Sequence, residues 1–127
     1  MILAQEMIDD GVEFILGAKS DPQFGKVIMF GLGGTLVELY KDVTFRILPI
    51  DEIDATQMIE ELHGRKILDG FRQYPIIDHQ IIADVIIRFS DMIVKHPEII
   101  EMDLNPLIWS EKDKELLVVD SRCTISV

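Results

Sequence analysis

The chain has 127 residues, 48% of them hydrophobic and 28% charged, with a formal net charge of −11. This length supports one domain with a sizeable core, since roughly 68–70% of unfolded-chain surface is buried near this size, and the acidic excess disfavours binding to a nucleic-acid backbone, which needs clustered Lys and Arg. No apolar run approaches the roughly 20 residues of a membrane span, no basic n-region with a cleavage site follows Met1, and the single Cys123 closes no intrachain disulfide, so a cytoplasmic protein with no membrane segment is expected.

Ile2 to Met7 reads as a strand, Asp9-Asp10-Gly11 as a turn, and Val12 to Ala18 as the next strand. Asp21-Pro22-Gln23-Phe24-Gly25 makes a second turn, with Lys26 to Phe30 returning. After Gly31-Leu32-Gly33-Gly34 come two further strand candidates, Thr35 to Tyr40 and Val43 to Leu48. Short strands joined by turns argue an antiparallel meander. The glycine cluster fails the dinucleotide fingerprint: its third glycine position is Leu36, and strand rather than helix follows.

Helices occupy the middle. Asp51 is the expected N-cap of the first, with Asp54 three residues on in a capping-box position. Ile53, Ala55, Met58, Ile59 and Leu62 supply its apolar stripe, and the helix is expected to end before Gly64. A second helix starts near Asp78, repeats Ile82, Val85, Ile86, Phe89 and Ile93 at three- and four-residue spacing, and stops at Pro97. Strands, then helices, then a closing hairpin read as α+β: an antiparallel sheet with helices on one face.

The hairpin is the most informative stretch. From Ile99 to Trp109, Glu101, Asp103 and Asn105 alternate with Ile100, Met102, Leu104 and Ile108, the period-two signature of a half-buried strand. Glu115 to Asp120 returns after the charged loop Glu111-Lys112-Asp113-Lys114. If Ser110 pairs with Glu115, Asn105 lies opposite Asp120 and Asp103 opposite Arg122. Directly paired residues have Cβ atoms about 4.5–5.5 Å apart, so the oxygens of Asn105 and Asp120 can converge on one hard cation. The alternative is a polar hairpin facing solvent.

EMDLNPL followed by VVDSR resembles the metal-binding end of ATP-grasp enzymes, specifically the beta subunit of ADP-forming acyl-CoA synthetases. DPQFG, GLGG, KDVTFR and the LDGFRQYP segment are similar to further stretches of that family in the same order. The likeness spans nearly the whole chain but only the second half of the family's ATP-grasp module. It implies an ATP-grasp C-terminal subdomain over residues 1–127, with ATP or ADP and Mg²⁺ as ligands. Asn105 and Asp120 would hold the metal, Arg122 would touch a phosphate, Glu6-Met7 would meet adenine at the inter-lobe hinge, and Glu13 would contact the sugar. GLGG would border the nucleotide cleft. The implied partners are the absent N-terminal ATP-grasp half and a CoA-binding alpha subunit, and a homodimer through the surface left open by the absent lobe is a further expectation. The implied activity couples acyl-CoA thioester cleavage to ATP formation through a phosphohistidine. A non-catalytic regulatory or assembly module of the same fold is the rival reading.

Remaining residues carry less. Arg46 is expected in a structural ion pair, while Arg72 can present its fork-shaped guanidinium to a phosphate. Gln73 stands where the family usually has glycine, and Lys26 where it tends to have proline. His63, His79 and His96 assemble no site, and Cys123 is expected as a small buried hydrophobe of a terminal strand.

Overall fold

A computed structural model describes residues 12–33, 42–70 and 74–126. The strands expected at 2–7 and 35–40, together with Glu6, Met7, Arg72 and Gln73, lie outside the described residues. The meander consists of β1 (Glu13–Asp21), β2 (Gly25–Leu32) and β3 (Val43–Ile47). Its first turn is set by Asp21, whose Oδ1 accepts from the backbone N–H groups of Gln23 and Phe24, and by Gly25 at a left-handed φ of 82°.

Helix α1 (Glu52–Glu60) starts as its sequence dictates: Asp51 accepts from the Asp54 N–H, and Asp54 accepts from the Asp51 N–H. Ala55, Met58 and Ile59 of α1, with Leu62 beyond it, are buried, but Ile53 is 67% exposed. At about 100° per residue Ile53 lies some 200° from Ala55, so the expected stripe begins two residues later. After a single 3₁₀ turn (Arg65–Leu68), α2 (His79–Lys95) is capped by Asp78. It buries Ile82, Ile86, Phe89 and Ile93, with Val85 partly covered. Neither helix is long and apolar enough to cross a membrane.

The chain closes with β4 (Ile99–Ser110), β5 (Glu115–Val118) and β6 (Ser121–Ile125). The antiparallel sheet runs β3-β2-β1-β4-β5, with β6 also pairing β4 along the edge that β5 leaves free. One face carries Phe14, Leu16 and Ala18 of β1 opposite Leu32, Phe30 and Ile28 of β2, and all six belong to the core shared with both helices. Thr44 ties β3 to α1 by donating its hydroxyl to the Met58 carbonyl, and Arg46 ion-pairs with Glu61, as expected. The opposite face, with Gly17, Lys19, Val27, Met29, Phe45 and Ile47, lies away from the helices.

Strand β4 departs from the simple alternation. Leu104 pairs with Leu16 while Leu107 pairs with Phe14, so Asn105 and Pro106 together oppose Ile15. This bulge resets the phase: Leu107 and Trp109 enter the core, and Ile108 is buried outside it. A second irregularity between Ile99 and Glu101 buries Ile99 and leaves Ile100 exposed. The expectation that Ile100 and Ile108 share the face of Met102 and Leu104 is corrected on both counts. Cys123 is likewise exposed rather than buried. Among the described residues β6 pairs only with β4, and every residue of it is exposed.

Candidate functional site

The register of the closing hairpin is the one its loop length implies. Ser110 pairs with Glu115, Leu107 with Val118, Leu104 with Ser121 and Asp103 with Arg122. In the gap, the Asn105 N–H donates to the Asp120 carbonyl at 3.1 Å and the Val119 N–H to the Pro106 carbonyl at 3.1 Å. Asn105 therefore stands directly across from Asp120. The bulge shifts β4 against β1 and leaves this pairing intact, because on the other edge of β4 Asn105 and Pro106 keep one-to-one bonds with Asp120 and Val119. Bulges are a common device for re-aiming side chains beside active sites.

Asp103, Asn105, Asp120, Ser121 and Arg122 line one cleft of about 240 Å³. Asp120 is held within it by its own neighbour, since its Oδ1 accepts from the Ser121 N–H at 2.8 Å. Asp103 is the residue whose importance the sequence did not reveal. Its strand neighbour on β1 is Gly17, and a Cβ there would come within 2.6 Å of the Asp103 Oδ1. The missing side chain lets the carboxylate lie against the sheet. Burial, and next the Glu101 charge, push the Asp103 pKa above the ordinary carboxylate value, against the opposing pull of Arg122 and Lys19.

A carboxyl whose pKa is higher folded than unfolded holds its proton more tightly in the native state. Its contribution to stability is present below the unfolded pKa and is lost as pH rises through the folded one. Asp103→Asn is therefore expected to raise the melting temperature more at about pH 7 than at about pH 3. Equal shifts at the two pH values would show that its ionisation costs the fold nothing.

Glu13 begins β1, opposite Ile108, and lines no part of the hairpin cleft. It stands four positions before Gly17, roughly 13 Å along the strand. Its carbonyl accepts from the Gly33 N–H at 2.8 Å. A Cβ on Gly31 would lie 2.5 Å from the Asp42 carbonyl oxygen, so tight strand packing accounts for these glycines. Among the described residues, no group of three or more His, Cys, Asp and Glu side chains is arranged to hold a metal.

The ATP-grasp domain family matches residues 1–125. The chain belongs to this family. Over 122 residues, covering 95% of this chain and 52% of the relative, the ATP-grasp domain is 45% identical to the beta subunit of ADP-forming acetate–CoA ligase II of Pyrococcus furiosus. It is 49% identical over 106 residues to ADP-forming acetate–CoA ligase I of Archaeoglobus fulgidus, covering 84% of this chain but 16% of that longer protein. Among solved structures, acetyl-coenzyme A synthetase 1 of Ca. Korarchaeum cryptofilum superposes with a TM-score of 0.82 at 45% identity, over 91% of this chain and 54% of its own. That structure is in complex with coenzyme A and Mg-AMPPCP, its phosphohistidine segment pointing towards the nucleotide binding site. The ATP-grasp domain described here thus spans about half the length of the beta subunit it matches.

Proposed function

We propose that this chain is the C-terminal half of an ATP-grasp module of an ADP-forming acid–CoA ligase, which exchanges a phosphoryl group between nucleotide and a histidine of a CoA-binding partner. The observation that carries the reading is the cross-strand pair Asn105–Asp120, opening into one cleft with Asp103 and Arg122. A carboxamide oxygen beside a carboxylate suits Mg²⁺, which takes one or two carboxylates and completes its shell with water and phosphate. Bound there, Mg²⁺ would offset the negative charge of the nucleotide's phosphates during transfer.

The chain's own residues do the rest. Asn105 and Asp120 would hold the cation beside the β4 bulge, and Arg122 would present a permanent positive charge to a phosphate oxygen. Glu13, farther along β1, meets the ribose, and Glu6-Met7 carry the adenine end. As a histidine nitrogen forms its bond to the γ-phosphorus, the bond from that phosphorus to the β,γ-bridging oxygen breaks, and ADP leaves with the electron pair. Reversal of this step, fed by an acyl-CoA thioester and phosphate, yields ATP. The relatives' phosphohistidine and nucleotide complexes support this assignment.

The test combines this chain with the remaining ATP-grasp half and the CoA-binding subunit, then follows ATP formation from ADP, phosphate and acyl-CoA. ATP production requiring all the parts is expected, with an acid-labile phosphohistidine accumulating from acyl-CoA and phosphate when ADP is withheld. An assembled complex that forms neither ATP nor phosphohistidine with any acyl group would sink the proposal.

A further inference from the structure

Gly17, Asp103 and Arg122 stand in one row across β1, β4 and β6, each paired directly with the next. Direct partners have Cβ atoms about 4.5–5.5 Å apart, so the Asp103 carboxylate has room to turn to either side. It turns towards Gly17, where an added Cβ would lie 2.6 Å from its Oδ1. Arg122, on the other side, has no ion-pair partner among the described residues. Its pull on the Asp103 pKa is smaller than the push of burial or of Glu101. Backbone conformation does not demand a glycine at position 17, since among the described glycines only Gly25 and Gly70 adopt a left-handed φ. What the position requires is the missing side chain.

We propose that Gly17 is a positioning residue that keeps Arg122 available to a phosphate, by seating the Asp103 carboxylate on the β1 side of its strand. This role rests on the reading of Arg122 above as a phosphate contact. A guanidinium already forked onto a carboxylate offers a phosphate little, because its charge is offset and its donors are taken. The staggered wells of a side chain lie about 120° apart, so a side chain at position 17 sends the Asp103 carboxylate into another well. Arg122 is the cation that meets it there, because Lys19, two positions along β1, stands opposite Glu101. The clash falls on the far end of a flexible side chain, so rotation of Asp103 relieves it. The nearest backbone atom, the Met102 carbonyl oxygen, is 3.3 Å from the same Cβ position and has to give only slightly.

The experiment measures Mg-ADP affinity by calorimetry in the ligase assembled with its remaining ATP-grasp half and CoA-binding subunit. It compares the parent, Gly17→Ala, Asp103→Ala and the double variant. Gly17→Ala is expected to weaken binding on the order of tenfold, the scale of losing one hydrogen bond to a charged group. In the Asp103→Ala background the same substitution should change affinity by less than about twofold, because no carboxylate is left to displace. Equal losses in both backgrounds overturn the role, since the added methyl would then act on the strand and not through Asp103. Parent-like affinity of Gly17→Ala overturns it as well. If Gly17→Ala does not fold, melting curves of Asp103→Ala, Arg122→Ala and their combination decide. Additive shifts are expected of two side chains that do not pair, and strong coupling between them overturns the role. Parent-like Mg-ADP affinity of Arg122→Ala also overturns it, by removing the phosphate contact on which it rests. If the affinities follow expectation while the parent forms no phosphohistidine, the transfer chemistry fails and the positioning role of Gly17 stands.

Discussion

Asp120→Asn in the assembled ligase is expected to lower turnover by about a hundredfold or more, the scale on which one group stabilising transition-state charge acts. The substitution removes a full negative charge from the proposed metal shell while keeping an oxygen in place. Phosphoryl transfer depends chiefly on positioning and electrostatic stabilisation, so weakened cation binding acts directly on the barrier. Folding should be nearly unaffected, because Asp120 is exposed and the hydrogen bond its side chain accepts from the Ser121 N–H can be accepted by an asparagine carbonyl. Turnover measured across a Mg²⁺ titration, beside a melting curve, separates the two effects. Unchanged turnover at limiting Mg²⁺ would remove Asp120 from the metal site.

Phe30→Ala should be the most damaging single change to stability among the core positions of the meander. Phe30 is fully buried, and its ring stacks on Phe14 with centroids 5.5 Å apart and planes 18° from parallel. The pair sits where β1 and β2 meet the helices, so neighbours on both sides resist collapse into the space left behind. Removing a buried phenyl ring costs about 3–5 kcal/mol, a large part of the roughly 5–15 kcal/mol that stabilises a typical domain. In urea the unfolding midpoint should fall sharply with its slope retained. Phe30→Leu, which leaves a smaller void, should fall between the two. A loss below about 1 kcal/mol would mean that the meander repacks around the cavity.

Local chemistry made several elements legible from the chain alone. Asp51 and Asp54 cap α1 as a reciprocal pair because both side chains need only reach backbone three residues away. The four-residue loop 111–114 set the hairpin register, and hence the Asn105–Asp120 pairing, because a short connection leaves two strands little freedom to slip. The family resemblance identified what such a pair could hold. Periodicity misled where the ladder itself changes step. Ile100, Ile108 and Ile53 are apolar residues whose faces depend on a bulge or on helical phase, and apolar character by itself does not reveal either.

Over the described residues, what the sequence by itself determined is the succession of strands, helices and hairpin, the helix starts, and the cross-strand partners of Asp103 and Asn105, because each follows from interactions spanning a few residues or one short loop. Only the tertiary structure decided which carboxylate is desolvated and what lies beside it. Asp103 and Gly17 are far apart in sequence, yet the missing Cβ of one makes room for the carboxylate of the other. The same pairing of β1 with β4 seats that carboxylate on the β1 side of its strand, away from Arg122. Contacts between distant strands depend on the whole sheet's register and on its bulge at Asn105–Pro106, and no local pattern in the chain encodes that sum.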